Sequence, residues 1–548
     1  MKKLNIIILT IFLLFAILGN TVYGNTLLKV IPEKVIAVME LADSETIKNF
    51  SEMNLGSFGS ENDAFETEDY KIARENARKE LGFDALDPIF MENIFSQGAV
   101  IACVGVSIGG NPELLISLIP SDQSAFLNFI EAVEAENELE EKTMNYKDIE
   151  IVEIILPSET DPTSIDSIFY TFLEDKLVIG NLSLPVKKAI DVYKGDILPL
   201  FENSEYEELK AKTLEKIEFS TFFACLFSNE LYGVVDELSE IVEDEELAKT
   251  LESSRATLEN SGNISLAGGY QEKNFAIYMM ALQKNDDFLN LFKEIDIIDF
   301  QSLHMFPKNT FFYLAGLTPL TWEAIKEGMV DKNLETNLDE NMGQIQNKTG
   351  IDIDNILAVL PSQEFSLGLF DPSGLFPKVG LLSGFSSEEK LEQYLYPILQ
   401  TYAPMVGGQL MDGEYDGTKY KSLLNPMFPI AYGVIGDRFA ASTGINDMID
   451  VQKGNRKALN ESEAIRYILS FPNVFSLLYI DMDPITQIAQ NFIQMSKQMV
   501  PQSQNTPATN QRDPSEAVME NLKNLKNLLF WAGIEEDYVY AWLEINYK

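Results

Sequence analysis

The chain has 548 residues, 46% of them apolar, and a formal net charge of −44. A field of that sign repels DNA, RNA and anionic lipid headgroups, and no run of basic residues opposes it, so nucleic acid is not an expected partner. A chain this long and this apolar can bury sizeable cores and normally divides into at least two domains.

At the start, Lys2 and Lys3 precede an apolar run from Leu4 to Leu18, followed by Val22 to Gly24, where a signal peptidase would cut. The run is about fifteen residues, short of the roughly 20 that cross a bilayer, so residues 1–24 read as a signal peptide and an uncleaved anchor is the alternative. The expected destination is the periplasm, the cell surface or the medium, with no membrane span after cleavage. No cysteine follows the run, so a lipoprotein's acyl acceptor is missing.

Ile31 to Leu41 reads as a strand entering a helix over 44–50, with Pro32 tolerated at the strand entrance. Ala99 to Val106, a turn at Gly109 to Pro112, and Leu114 to Ile119 read as a hairpin, and Ser121 to Ser124 opens a capped helix. The acidic stretches Glu134 to Lys142 and Glu240 to Leu247 read as solvated helix faces. Glu174 to Gly180 reads as part of a further hairpin, and the helix after it stops at Lys194 and Gly195. Glu218 to Phe227 and Phe275 to Leu282 are apolar strands. Cys103 and Cys225 are the only cysteines, both inside strand-like runs; one disulfide is conceivable in an exported chain, but two buried thiols fit the apolar surroundings better.

The same order of elements then recurs. Phe306 to Leu317 matches the opening strand, Glu364 to Phe370 and Val379 to Leu382 match the hairpin, and Ser386 to Glu389 matches the helix start. Gly436 to Ser442 and Met448 to Gly454 match Glu174 to Gly180 and Ala189 to Gly195, while Phe471 to Ile480 and Tyr538 to Ile545 match the later strands. A repeat of this length predicts two similar domains, 25–300 and 301–548. Hairpins rather than helical crossovers predict an α+β fold: two tandem domains, each a largely antiparallel sheet with packed helices. A polar, proline-punctuated stretch at about 498–515 is expected to be a mobile loop, with a smaller one at 55–63.

The element order, the signal peptide and the phrase Asp175 to Gly180 resemble an exported bacterial family catalogued as domain of unknown function 3352. The resemblance implies export and a duplicated α+β fold, and it implies no activity.

Chemistry is sparse. His304 is the only histidine, which makes a His-based zinc site or general base improbable and a surface histidine the better reading. Gly105, Ser107 and Gly109 satisfy the hydrolase pattern G-x-S-x-G, but a hairpin follows where a helix is needed. Asp352 and Asp354 lack the glycine and glutamate of a calcium loop and read as a helix start. No phosphate loop or dinucleotide fingerprint occurs in a strand-to-helix setting, so no cofactor is expected. The last strand places Tyr538, Tyr540 and Trp542 on one face and Val539, Ala541, Leu543 and Ile545 on the other, which makes the aromatic row a candidate binding face. The expected function is that of an exported, non-catalytic envelope or extracellular protein that binds or scaffolds an unidentified protein or apolar ligand. A hydrolase working with carboxylates alone, or a carrier of an apolar ligand, is the alternative.

Overall fold

The computed structural model describes residues 24–41, 97–107, 111–131 without 125 and 129, 139–157, 165–217, 219–241, 255, 258, 261–271, 274–283, 300–317, 364–373, 376–400 without 386, 398 and 399, 403, 408–424, 429–499, 522–535 and 538–548. The expected signal peptide up to residue 23, the helix at 44–50, the stretch 55–63, the calcium-loop look-alike at Asp352 and the polar stretch from 500 to 515 lie outside these residues. The chain divides into two compact units, Met1–Lys284 with Tyr547–Lys548, and Asn285–Asn546.

In the first unit the strands are β1 (Ala37–Leu41), β2 (Ala99–Val106), β3 (Pro112–Leu118), β4 (Glu140–Tyr146), β5 (Ile149–Pro157), β6 (Ile165–Leu173), β7 (Lys176–Gly180), β8 (Phe219–Leu226), β9 (Ser261–Gln271) and β10 (Asn274–Gln283). They pair antiparallel throughout, in the order β10-β9-β8-β1-β2-β3-β7-β6-β5-β4. Its helices include α1 (Ser183–Tyr193), α2 (Ser204–Leu214) and α3 (Ser228–Ile241).

The second unit holds β11 (Thr310–Leu317), β12 (Glu364–Phe370), β13 (Lys378–Ser383), β14 (Gln409–Tyr415), β15 (Thr418–Leu424), β16 (Ile430–Ile435), β17 (Arg438–Ser442), β18 (Val474–Asp481), β19 (Leu525–Glu535) and all but the last residue of β20 (Tyr538–Tyr547). The order is β20-β19-β18-β11-β12-β13-β17-β16-β15-β14. Its helices include α4 (Ile445–Gln452), α5 (Glu463–Ile468) and α6 (Met482–Met499).

The expected fold class needs correction. Within each unit the ten strands pair antiparallel in one continuous order, and strand outweighs helix, so this is a mainly β structure and not a clear α+β pair of domains. The physical reason is that an apolar run marks a strand but not which of its two hydrogen-bonding edges finds a partner. How many sheets a chain makes is decided at those edges.

A second correction concerns the first acidic stretch. Glu140, Glu141 and Lys142 lie on β4, which among the described residues pairs only with β5, and all three are exposed. Charges on an outermost strand discourage pairing with another chain, so Glu140, Glu141 and Lys142 solvate a sheet edge and not a helix.

Local chemistry explains the tight connections. Lys147 and Asp148, at φ 51° and 63°, and Asp416 and Gly417, at φ 47° and 77°, make two-residue hairpin loops of the kind whose twist suits paired strands. Each hairpin is tied to a helix by tyrosine: the Tyr146 hydroxyl donates to Asp191 of α1 at 3.0 Å and the Tyr415 hydroxyl to Asp450 of α4 at 3.2 Å. Both helices end on glycine in the left-handed region, Gly195 and Gly454, with the following N–H reaching back to Asp191 and Asp450 carbonyls at 2.9 and 2.8 Å.

The cysteines do not meet. Cys103 is paired with Ala37 and Cys225 with Val38, on the strands flanking β1. Neighbouring residues of a strand face opposite ways, so the two thiols lie on opposite faces, on strands whose backbones are about 9.6 Å apart across two strand spacings. That exceeds the reach of a disulfide, and both are free.

Candidate functional site

Each unit has a carboxylate buried in its core. In the first, Glu40 on β1 is 1% exposed. Helix α2 covers it, started by Asn203, whose side-chain oxygen accepts the N–H groups of Glu205 and Tyr206 at 3.0 and 3.1 Å. Tyr206 and Lys210 are four residues apart and so share a helix face. The Tyr206 hydroxyl donates to Glu40, and the Lys210 ammonium lies 2.6 Å from the same carboxylate. Burial pushes the Glu40 carboxyl above its usual range although Lys210 and Tyr206 pull it down, and burial beside Glu40 drives the Tyr206 phenol strongly up.

In the second unit Glu364, at the start of β12, is 3% exposed. Its oxygens accept the Ser302 N–H at 3.1 and 3.2 Å and the Ser302 hydroxyl, Arg438 lies 3.7 Å away, and the Tyr313 hydroxyl meets the Ser302 hydroxyl at 2.5 Å. Burial again raises the carboxyl, opposed by Ser302 and Arg438.

The two clusters do not coincide in the shared frame. Bridges Pro32 to Pro199 and Pro307 to Ala458 occupy equivalent places. Counted from them, Glu40, Tyr206 and Lys210 correspond to Ala315, Ile465 and Leu469, an apolar set. By strand pairing, β1 with β2 against β11 with β12, Glu364 corresponds to Gly98. The frame therefore requires neither carboxylate; each takes its donors from its own unit, and the second oxygen of Glu40 has no hydrogen-bond partner among the described residues. Both are sealed from solvent.

The residues singled out by sequence fall as follows. Tyr538, Tyr540 and Trp542 are 5%, 2% and 2% exposed, so the aromatic row faces inward and is no open binding face. Trp542 stacks on Trp531 at 5.5 Å between centroids, Phe471 packs against both, and the Tyr540 hydroxyl donates to the Pro472 carbonyl at 2.6 Å. Val539, Ala541, Leu543 and Ile545 are the half-buried side. Ser107 closes the β2–β3 hairpin: its N–H donates to the Asn111 carbonyl at 2.8 Å, and its hydroxyl accepts the Asn111 N–H at 3.2 Å. No strand-to-helix elbow forms there. His304 is exposed at the end of a short 3-10 turn and bonds through Nδ1 to the Asn460 amide at 2.9 Å. Among the described residues no three His, Cys, Asp or Glu side chains are grouped to hold a metal.

Sequence reasoning missed a local basic surface. Two segments run antiparallel through the Pro307–Ala458 bridge, with the Lys308 N–H donating to the Lys457 carbonyl at 2.9 Å and the Leu459 N–H to the Phe306 carbonyl at 2.8 Å. They create an open depression of about 450 Å³ lined by Lys308, Asn309, Arg456 and Lys457. The Arg456 guanidinium is held by Asp447 and, at 2.9 Å, by the Asn309 side-chain oxygen. Lys308 and Lys457 carry no ion pair among the described residues. Arg456 and Asn309 are 147 positions apart, so no run of basic residues announces the site. The available signal was a difference between the repeats: the equivalents of Lys308, Arg456 and Lys457 are Glu33, Ile197 and Leu198.

A family model described as Protein of unknown function (DUF3352) matches residues 96–513. The chain belongs to this family. No curated protein and no solved structure matches it. DUF3352 is uncharacterised, so membership brings no activity to the residues above. Within this DUF3352 chain, no helix among the described residues is long and apolar enough to cross a membrane.

Proposed function

We propose that this chain is a non-catalytic binding protein, exported to the cell envelope or beyond, with its open basic depression as the contact surface. The observation that carries the reading is the lining of that depression: Lys308, Asn309, Arg456 and Lys457 offer donors and positive charge, with no nucleophile or carboxylate among them. Such groups hold a ligand and do not by themselves supply general acid–base chemistry near neutral pH. The burial of Glu40 and Glu364 weighs against the carboxylate hydrolase. Export rests on the leader-like residues 1–24. The shared strand order and bridge positions favour a tandem duplication, with domains of about 25–300 and 301–548.

The test is recovery of the tagged protein from its own host, beside a Lys308→Glu, Lys457→Leu variant, with mass spectrometry of what accompanies each. A species retained by the first and lost from the second supports the reading. Hydrolysis of ester or glycoside substrates by the parent protein, abolished by Glu40→Gln or Glu364→Gln, would overturn it.

A further inference from the structure

We infer that the Lys308–Arg456–Lys457 depression binds a phosphoryl group carried by a small ligand, an inference that rests on the binding reading above and names its ligand chemistry. The first ground is charge. The chain carries −44 overall, yet here two lysines that carry no ion pair among the described residues flank an arginine fixed by Asp447 and Asn309. The second is comparison within the chain. The matching frame of the first unit, where the Glu33 N–H donates to the Leu198 carbonyl at 2.8 Å and the Leu200 N–H to the Ile31 carbonyl at 2.9 Å, carries glutamate, isoleucine and leucine at those places. A backbone that folds equally well with Glu33, Ile197 and Leu198 does not need Lys308, Arg456 and Lys457 for its stability. The third is donor type. Part of the arginine fork is taken by Asp447 and Asn309, leaving the lysine ammonium groups as point charges, a form suited to phosphate oxygens rather than to the bidentate grip of a carboxylate. The fourth is size. At physiological salt the field of a local cluster fades within about 8 Å, so the surrounding negative charge turns away long polyanions and charged membranes while a compact anion reaches the cluster.

The experiment is calorimetric titration of the full chain with inorganic pyrophosphate, with citrate and phosphatidic-acid vesicles as separate arms. The variants are Lys308→Glu and Lys457→Leu, each importing a residue the first unit already tolerates. Pyrophosphate should bind, more weakly as salt rises, and each variant should lose roughly tenfold in affinity, since a charge a few Å from the ligand is removed or reversed. Citrate and vesicles should bind less than pyrophosphate or not at all. Pyrophosphate binding unchanged by both variants, preference for citrate or for the vesicles, or no binding of any probe would overturn the phosphoryl assignment. That failure leaves the broader reading standing if the native-host recovery still yields a species lost in the double variant, so the two are separable. Circular dichroism of the variants, expected to match the parent, keeps a folding defect from imitating lost affinity.

Discussion

Glu40 shows how a single buried carboxylate is tolerated. Its charge is opposed by the cost of leaving water and supported by Lys210 and Tyr206, and the first effect is the larger, because the carboxyl is raised above its reference value of 4.5. The sign for stability follows. A group that binds its proton more tightly when folded contributes fully below the unfolded pKa, and that contribution disappears as pH rises through the higher folded value. Glu40→Gln keeps an acceptor for Tyr206 and removes the titration, so its stability relative to the parent should improve between pH 4.5 and neutrality. Denaturant midpoints collected at several pH values check this, and a constant difference would contradict it. Glu40→Leu alone strands Lys210 and should cost about 3–5 kcal/mol. Adding Tyr206→Phe and Lys210→Met should recover most of the loss, since the second unit fills the equivalent place with Ala315, Ile465 and Leu469. Denaturation of the single and triple variants decides it.

At the scale of elements, the edge strand β4 invites the sharpest test. Glu140, Glu141 and Lys142 are exposed on a strand that pairs along one edge only among the described residues, and their charge is what discourages a second chain from pairing there. Glu141→Val together with Lys142→Val should leave the melting temperature within a few degrees of the parent while raising light scattering on concentration; unchanged scattering would remove this role from the charges. Elements also show how much could be read in advance. Glu364 to Phe370 and the core of β18 are apolar runs with clean boundaries, and the sequence places both well. The β4–β5 and β14–β15 hairpins escaped because Glu140 to Lys142 and Asp412 to Glu414 are too polar to look like strands. Alternation along β20 separated its faces correctly, but burial reversed the expected roles: Tyr538, Tyr540 and Trp542 fill a core site beside Trp531 and Phe471, which no local pattern reveals. The basic depression escaped for a related reason, since Lys308 and Lys457 come together only through the Pro307–Ala458 bridge.

For the molecule as a whole, net charge sets the solution behaviour. A formal −44 spread over the surface repels itself, and salt relieves that repulsion. Raising sodium chloride from low to physiological concentration should therefore raise the melting temperature by a few degrees, although the same salt weakens exposed pairs such as Lys421 with Asp412. Calorimetric scans at several salt concentrations check the direction, and a steady fall would mean that surface pairs outweigh general repulsion. The continuous antiparallel order of ten strands within each unit was not legible, because hydrophobic pattern locates strands while pairing partners are chosen by geometry across the chain.

The two thiols turn out to be a built-in pair of reporters. Because Cys103 and Cys225 sit on opposite sides of β1 and cannot oxidise to each other without unfolding, the chain can pass through an oxidising compartment with both still reduced. Burial raises both thiols, Cys225 to about 12, which keeps them slow toward alkylating reagents in the native state. Alkylation of Cys103 ahead of Cys225 would then time the loosening of one side of the sheet against the other, and it needs no engineered label.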